Sequence, residues 1–362
     1  MILDDGREVA RIDAGGMLAV IRRLGAMTLE GWRVAAELPL PWTVAAPRPA
    51  LAGAARPAVV VTAGMGGSGI GGDLLRALLA PTSSVPVVSV RDSRLPAFVS
   101  RHALVFVCSY SGNTTETLAV YQAARDAGAA VVVVTSGGHL AERARAAGDP
   151  VVLVPAGLQP RAALAYLLMP MLRVTARLGL AGPAEADVTE AAALLDRLAD
   201  QWGPAIPTAE NPAKQLAARL QGLVPVVYAS SPGTAPVAYR WKTQFNENAK
   251  VFAAWNVFPE LSHNETVGWT GAPGAAGRFV VILRDRDDEP LVAAQVEATR
   301  ALALGRAHGV EEVSSQGQGR LARLLSLVLF GDLVSTYLAI LSGVDPTPVE
   351  IITAVKRRLA GA

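Results

Sequence analysis

Several chemistries are thinly supplied in this 362-residue chain. It has one cysteine, four histidines, 5% aromatic residues and 18% charged residues, with a formal net charge of +2. A single thiol, Cys108, allows no intramolecular disulfide, and a reducing cytosol fits that usage. The four histidines and the carboxylates show no metal-ligand spacing such as H-E-x-x-H, so no metal site is expected. The balanced charge and the lack of a long basic run give no nucleic-acid signal. The opening Met1-Ile-Leu-Asp-Asp-Gly-Arg-Glu is acidic and polar where a secretory signal needs a basic and then an apolar run. Leu324 to Leu341 is the most membrane-like stretch. It carries Asp332 and two serines, so a buried core helix or an oligomer interface is expected there, and no membrane span.

What the chain has is alternation. From Ala58 onward short apolar runs are separated by Gly-rich turns and Ala-rich helical stretches. Strands are predicted at Ala58–Ala63, Val85–Val90, Ala103–Cys108, Ala130–Thr135 and Pro150–Pro155, and a long helix over Ala162–Leu180. A second alternation places strands at Val224–Ala229, Val251–Ala254, Phe279–Leu283 and Gly309–Val313. This is an α/β pattern with two doubly wound parallel sheets, and the halves read as possible repeats of one fold. The division is expected near residue 185, so that 1–185 holds an N-terminal segment and the first domain, and 186–362 a linker helix and the second. Residues 1 to about 56 hold one or two helices and a Pro-rich crossing at Pro39, Pro41, Pro47 and Pro49.

The chain is organised around Cys108-Ser-Tyr-Ser-Gly-Asn-Thr-Thr-Glu-Thr117. It joins a predicted strand to a predicted helix, where backbone N–H groups and the positive end of a helix dipole converge. Ser109, Ser111, Thr114 and Thr115 add hydroxyls, and Gly112 permits close approach or positive φ. Such a turn suits a phosphate group, although Ser and Thr also cap helices without binding anything. Gly64-Met-Gly-Gly-Ser-Gly69 fits G-x-G-x-x-G after a strand, and Asp92 ends the next strand as a ribose-binding acid would. A nicotinamide oxidoreductase is therefore an alternative. It leaves the serine-rich turn unused, whereas two phosphate-grade turns at neighbouring strand ends would surround one compact ligand. No Gly-Lys-Ser/Thr follows the glycines, which excludes a P-loop. Two polar clusters, Trp241 to Lys250 and Phe258 to Glu265, bring carboxylates, amides and His263, the inventory for proton transfer. They are expected in polar loops near strand ends. His102, His139 and His308 receive no role.

Taken together, Gly64-Met-Gly-Gly-Ser-Gly, Ser109-Tyr-Ser-Gly-Asn-Thr with Glu116, Gln159-Pro-Arg161, Asn246-Glu-Asn-Ala-Lys and Glu260-Leu-Ser-His-Asn resemble the bifunctional phosphoglucose/phosphomannose isomerases, built from two SIS (sugar isomerase) domains. The resemblance runs from about residue 57 to the C-terminus. It implies a homodimer with active sites at the subunit interface, no cofactor or metal, and interconversion of hexose 6-phosphates. It assigns phosphate binding to Ser68, Ser109, Ser111 and Thr114, with Gly67 beside them. Arg161 matches the arginine at the reacting C1–C2 unit, Glu247 the catalytic base, His263 a ring-opening histidine from the neighbouring subunit, and Lys356 the C-terminal active-site lysine. Thr347 and Thr353 both lie near the position of a threonine that some members use to favour substrate rotation. A non-catalytic sugar-phosphate sensor with the same fold is the other alternative. It would need the phosphate turns but not Glu247, Arg161, His263 and Lys356 together.

Overall fold

A computed structural model describes residues 2–40, 56–271 and 274–360. Pro41, Pro47 and Pro49 of the expected crossing lie outside the described residues. The chain divides into two compact units. One comprises Leu24–Leu194 with Gly317–Ala322; the other comprises Met1–Arg23, Leu195–Gln316 and Arg323–Ala362.

The first unit contains a five-stranded parallel sheet, β1 (Val59–Ala63), β2 (Val87–Val90), β3 (Ala103–Cys108), β4 (Ala130–Thr135) and β5 (Val151–Leu153), in the order β2-β1-β3-β4-β5. The central strands ALVFVC and AVVVVT are buried at every residue. That is what continuous β-branched runs predict for strands covered on both faces. The edge strands β2 and β5 are partly exposed. Val61, Val105, Val107, Val131 and Val133 share a core with Val120, Tyr121 and Ala124 from the Thr115–Asp126 helix. The expected long helix runs over Leu164–Arg177, after a short 3-10 turn at Pro160–Ala163.

The other unit holds β6 (Val224–Ala229), β7 (Ala254–Val257), β8 (Arg278–Arg284) and β9 (Gly309–Ser314), parallel and in the order β7-β6-β8-β9. Counted within its own unit, each sheet places its second strand on one side of the first and its third on the other. The two sheets therefore repeat one topology despite low letter identity.

Three expectations are corrected. The first 23 residues group with the C-terminal half, not with the first domain. The reason is local: the buried Lys214 ammonium donates to the Leu3 carbonyl at 2.7 Å, and Asp4 accepts from the Thr208 amide and hydroxyl, both at 2.8 Å. The division also falls inside the Glu185–Gln201 helix, past the expected residue 185. The strand expected at Val251–Ala254 forms three residues later as β7. The preceding helix continues to Ala249, so residues 250–253 are used in leaving it.

The apolar Arg320–Leu341 helix is long and apolar enough to cross a membrane, yet 94% of its most apolar window is buried inside the protein. Its polar residues are paired there. Asp332 holds Arg240 at 2.6 Å and accepts from Gln244 at 2.8 Å, and Ser335 accepts from Asn248 at 3.0 Å. These pairs seat the part of the helix from Arg323 onward in the core of the unit to which it belongs.

Candidate active site

In the first sheet β1 and β3 are neighbours from which the chain departs in opposite directions, the topological switch point of a doubly wound fold. Each strand runs directly into a glycine- or serine-rich turn and a helix, Gly66–Leu79 after β1 and Thr115–Asp126 after β3. Neither N-cap residue, Met65 or Thr114, makes a side-chain capping bond. No side chain of the chain itself thus caps either helix, although the Ser68 amide donates to the Met65 carbonyl at 3.0 Å, and an uncapped helix N-terminus at a strand end is the arrangement that receives anions.

The predicted phosphate residues gather at these turns. The Ser68 hydroxyl accepts from the Tyr110 amide at 3.0 Å, joining the turn after β1 to the turn after β3. Ser109 donates to Thr114 Oγ1 at 3.1 Å and accepts from the Gly112 amide at 3.1 Å, while the Asn113 amide bonds to Ser111 Oγ at 3.3 Å. Ser68 and Ser109 are buried at the floor, Thr114 is half-buried and Ser111 is exposed at the rim. Gly112 sits at φ 70°, and a Cβ there would fall on the Gly137 carbonyl oxygen, so the turn needs glycine at this place. Thr117, one turn along, is buried with an unpartnered hydroxyl. Sequence reading gave it no role, although it closes the same hydroxyl-rich run.

Arg161 reaches this place from the 3-10 turn after β5. It is 2% exposed, and its guanidinium donates to Gln159 Oε1 at 3.4 Å. Its backbone lies against Gly67, where a Cβ would approach the Arg161 amide nitrogen to 2.6 Å. Gly67, Ser68, Ser109, Ser111, Thr114 and Arg161 are thus assembled within one unit by β1, β3 and the segment following β5.

The dinucleotide alternative fails on topology. In a Rossmann sheet the first strand pairs with the second and fourth, whereas β1 pairs with β2 and β3. Asp92 is exposed and closes its own turn, accepting from Ser93 Oγ and the Arg94 amide. Cys108 is buried and unsuited to act as a nucleophile. Burial pushes its thiol up to about 12, which removes the thiolate a nucleophile needs.

Glu247, His263 and Lys356 belong to the other unit. Glu247 does not sit in a loop: the Ala235–Gln244 helix continues as a π-turn over Phe245–Ala249. One-turn π segments in helices recur at functional sites. The flanking residues fix the turn. Asn248 is buried and donates to Ser335, and Gln244 donates to Asp332. Lys250 ends the turn in the left-handed region at φ 55°, its ammonium donating to the carbonyls of Glu247, Asn248, Asp345 and Pro346 at 2.9–3.2 Å. Sequence reading quoted Lys250 within a motif but gave it no task. A lysine placed where a helix C-terminus leaves its carbonyls unpaired was the available signal.

His263 is exposed at the end of the Glu260–His263 3-10 turn, which follows β7. Two residues on, Glu265 anchors the segment. It accepts from Tyr228 Oη at 2.5 Å and from the Asn256 side-chain amide, and Trp269 donates to Tyr228 Oη at 2.9 Å. Burial first, and then the bond to Glu265, raise the Tyr228 phenol, so it stays protonated as the donor. Lys356 is exposed on the Glu350–Ala360 helix, as is Thr353. Thr347 lies on the loop that Lys250 holds and packs its side chain against Gly15.

The second sheet repeats the topology without the phosphate turn. Where β3 leads into serines and threonines, β8 leads into Arg284-Asp-Arg-Asp-Asp288. The Asp288 carboxylate accepts from Ser230 Oγ, in the turn after β6, at 2.6 Å and from Arg284 Nε at 3.0 Å. A half-buried Asp288, its side chain 5% exposed, opposes a second anion at that spot.

Comparison with known proteins follows the same lines. The family model of the bacterial phospho-glucose isomerase C-terminal SIS domain matches residues 209–359. The bifunctional phosphoglucose/phosphomannose isomerase of Caldicellulosiruptor bescii is 43% identical over 302 residues, 83% of this chain and 89% of that protein. The protein of the same name from Aquifex aeolicus is 38% identical over 304 residues, 83% of this chain and 90% of that one. A crystal structure of a glucose-6-phosphate isomerase like protein from Thermus thermophilus superposes with a TM-score of 0.64 over 98% of both chains, at 23% identity, which is a likeness of fold.

Proposed function

Since this chain belongs to the bifunctional phosphoglucose/phosphomannose isomerase family, we propose that it interconverts glucose 6-phosphate and mannose 6-phosphate with fructose 6-phosphate through a cis-enediol, without a metal or cofactor. One observation carries the reading. The Ser68–Tyr110 bond joins the two switch-point turns and the Gly67 backbone lies against that of the buried Arg161, which supports one anion-binding place.

In this scheme Gly67, Ser68, Ser109, Ser111 and Thr114 bind the phosphate, which takes no part in the reaction and anchors the sugar. His263 and Lys356 serve as acid and base at the ring oxygen and O1, opening the ring. The Glu247 carboxylate removes the proton from C2 of the aldose, electrons shift to form the enediol, and the same carboxylate returns the proton to C1. The Arg161 guanidinium, always protonated, stabilises the charge that develops on oxygen. C2 is planar in the enediol, so a site that allows rotation about C2–C3 accepts both epimers. The active protein in this reading is a cytoplasmic homodimer with the site at the subunit interface and His263 supplied by the partner.

The test is a coupled assay for fructose 6-phosphate from each aldose phosphate separately, with EDTA present. Turnover of both by the wild type, reduced about 10²–10⁴-fold by Glu247→Gln, is the expected result. Binding of both sugar phosphates without turnover would replace the enzyme with a sensor.

A further inference from the structure

Tyr110 stands between the two serines of the phosphate turn, yet its side chain is directed elsewhere. The ring is buried, and its hydroxyl donates to the Pro155 carbonyl at 2.7 Å while accepting from the Leu158 amide at 2.9 Å. These main-chain groups belong to the irregular segment between β5 and the 3-10 turn that carries Arg161. The backbone of the same residue is held on both sides. Its amide donates to Ser68 Oγ at 3.0 Å, and its carbonyl accepts from the Ser136 amide at 2.9 Å and the Ser136 hydroxyl at 2.6 Å. One residue of the turn after β3 therefore bonds to the turn after β1, to the turn after β4 and to the arginine segment. Burial raises the phenol, offset in part by the Leu158 amide, so it remains a donor at neutral pH.

We propose that Tyr110 is a positioning residue that sets Arg161 in register with the phosphate turn, so that a hexose phosphate gripped by its phosphate has C1–C2 presented to the guanidinium. The inference rests on the isomerase reading above. Its physical basis is a division of labour along the substrate. The phosphate is bound by hydroxyls and amides that do not need the phenol, and these hold ground state and transition state alike. The guanidinium acts on charge that exists only as the enediol forms. Loosening the tether should therefore spare binding and slow the reaction.

Tyr110→Phe keeps the ring and removes the two hydrogen bonds. We expect kcat to fall about 10–100-fold, the scale of an ångström-sized misplacement. KM and the dissociation constant for inorganic phosphate should stay within about threefold, and the melting temperature within a few degrees. In an Arg161→Gln background the same substitution should cost almost nothing more, because the tyrosine acts through the arginine. Amide exchange, read without turnover, should show Leu158 protected in the wild type and released in Tyr110→Phe. Unchanged kcat, additive effects in the double variant, or a Leu158 amide unprotected in the wild type would each overturn the proposal. A wild type inactive on both sugar phosphates would instead reject the isomerase reading, and the exchange measurement would still judge the tether.

Discussion

The amide nitrogen of Arg161 lies where a side chain at position 67 would begin: a Cβ on Gly67 would come within 2.6 Å of it, and within 2.8 Å of the Arg161 Cα. Both neighbours are backbone, so the conflict cannot be relieved by rotating a side chain. Gly67→Ala should push the 3-10 turn at Pro160–Ala163 away from the Gly66–Leu79 helix. The expected outcome is a loss of kcat/KM of about 10²-fold, larger than that of Gly71→Ala in the same helix, whose Cβ would meet the flexible end of Met171 at 3.4 Å. Steady-state kinetics of the two variants side by side decide it.

Lys250 combines a cost and a benefit in one residue. Its left-handed backbone is unfavourable for a side chain by about 1 kcal/mol, while its ammonium satisfies four carbonyls around the Glu247 turn. Substitution separates the two. Lys250→Ala loses the ammonium and keeps the strain; Lys250→Gly loses both. The glycine variant should therefore be more stable than the alanine variant by about 1 kcal/mol in denaturant unfolding. Both should lose activity, because the π-turn is no longer tied to the Asp345–Pro346 carbonyls.

Much of this site could be read before any coordinates. The strands β3, β4 and β6 run over the expected residues, because β-branched stretches bounded by Gly and Pro admit few other conformations. The serines of the phosphate turn and Arg161 were legible as motifs in order. What stayed hidden depends on partners remote in sequence. Nothing local announces that Leu3 and Asp4 bond to Lys214 and Thr208, so sequence order alone groups the first 23 residues with the first sheet and not with the half they join. Glu247 reads as a loop residue because its polar neighbours are unlike a surface helix; their true partners, Asp332 and Ser335, lie 88 and 87 residues further on. Tyr110 carries no signal in the sequence, because hydrophobic periodicity says where a ring is buried and not what its hydroxyl meets.

The Arg240–Asp332 pair is nearly sealed, with side-chain exposures of 2% and 6%. Asp332 also accepts from Gln244, one turn before Glu247. Removing one partner strands the other's charge. Asp332→Ala should destabilise the fold by about 3–5 kcal/mol, and the paired replacement Arg240→Met with Asp332→Leu should recover most of that. Chemical denaturation of the three proteins is the measurement. A double variant no more stable than Asp332→Ala would show that the pair is held for its geometry and not its charge balance.

Acid should weaken the second unit through Asp285. Burial alone would raise its carboxyl, but hydrogen bonds from the Asp287 amide, from Arg323 and from Ser315 outweigh it, so the folded value lies below the ordinary 3.8. A lowered carboxylate contributes stability that is in full force above 3.8 and is lost as pH falls through the folded value. Asp13 works in the opposite sense: burial raises it, against the bonds it accepts from Leu18 and Met17, and acidification relieves the cost of its charge. Whole-protein melting therefore mixes the two, and Asp285→Asn isolates one. The gap in melting temperature between wild type and Asp285→Asn should be widest near neutral pH and close as the pH drops below about 3.8. A gap independent of pH would mean that Asp285 is held by its shape and not by its charge.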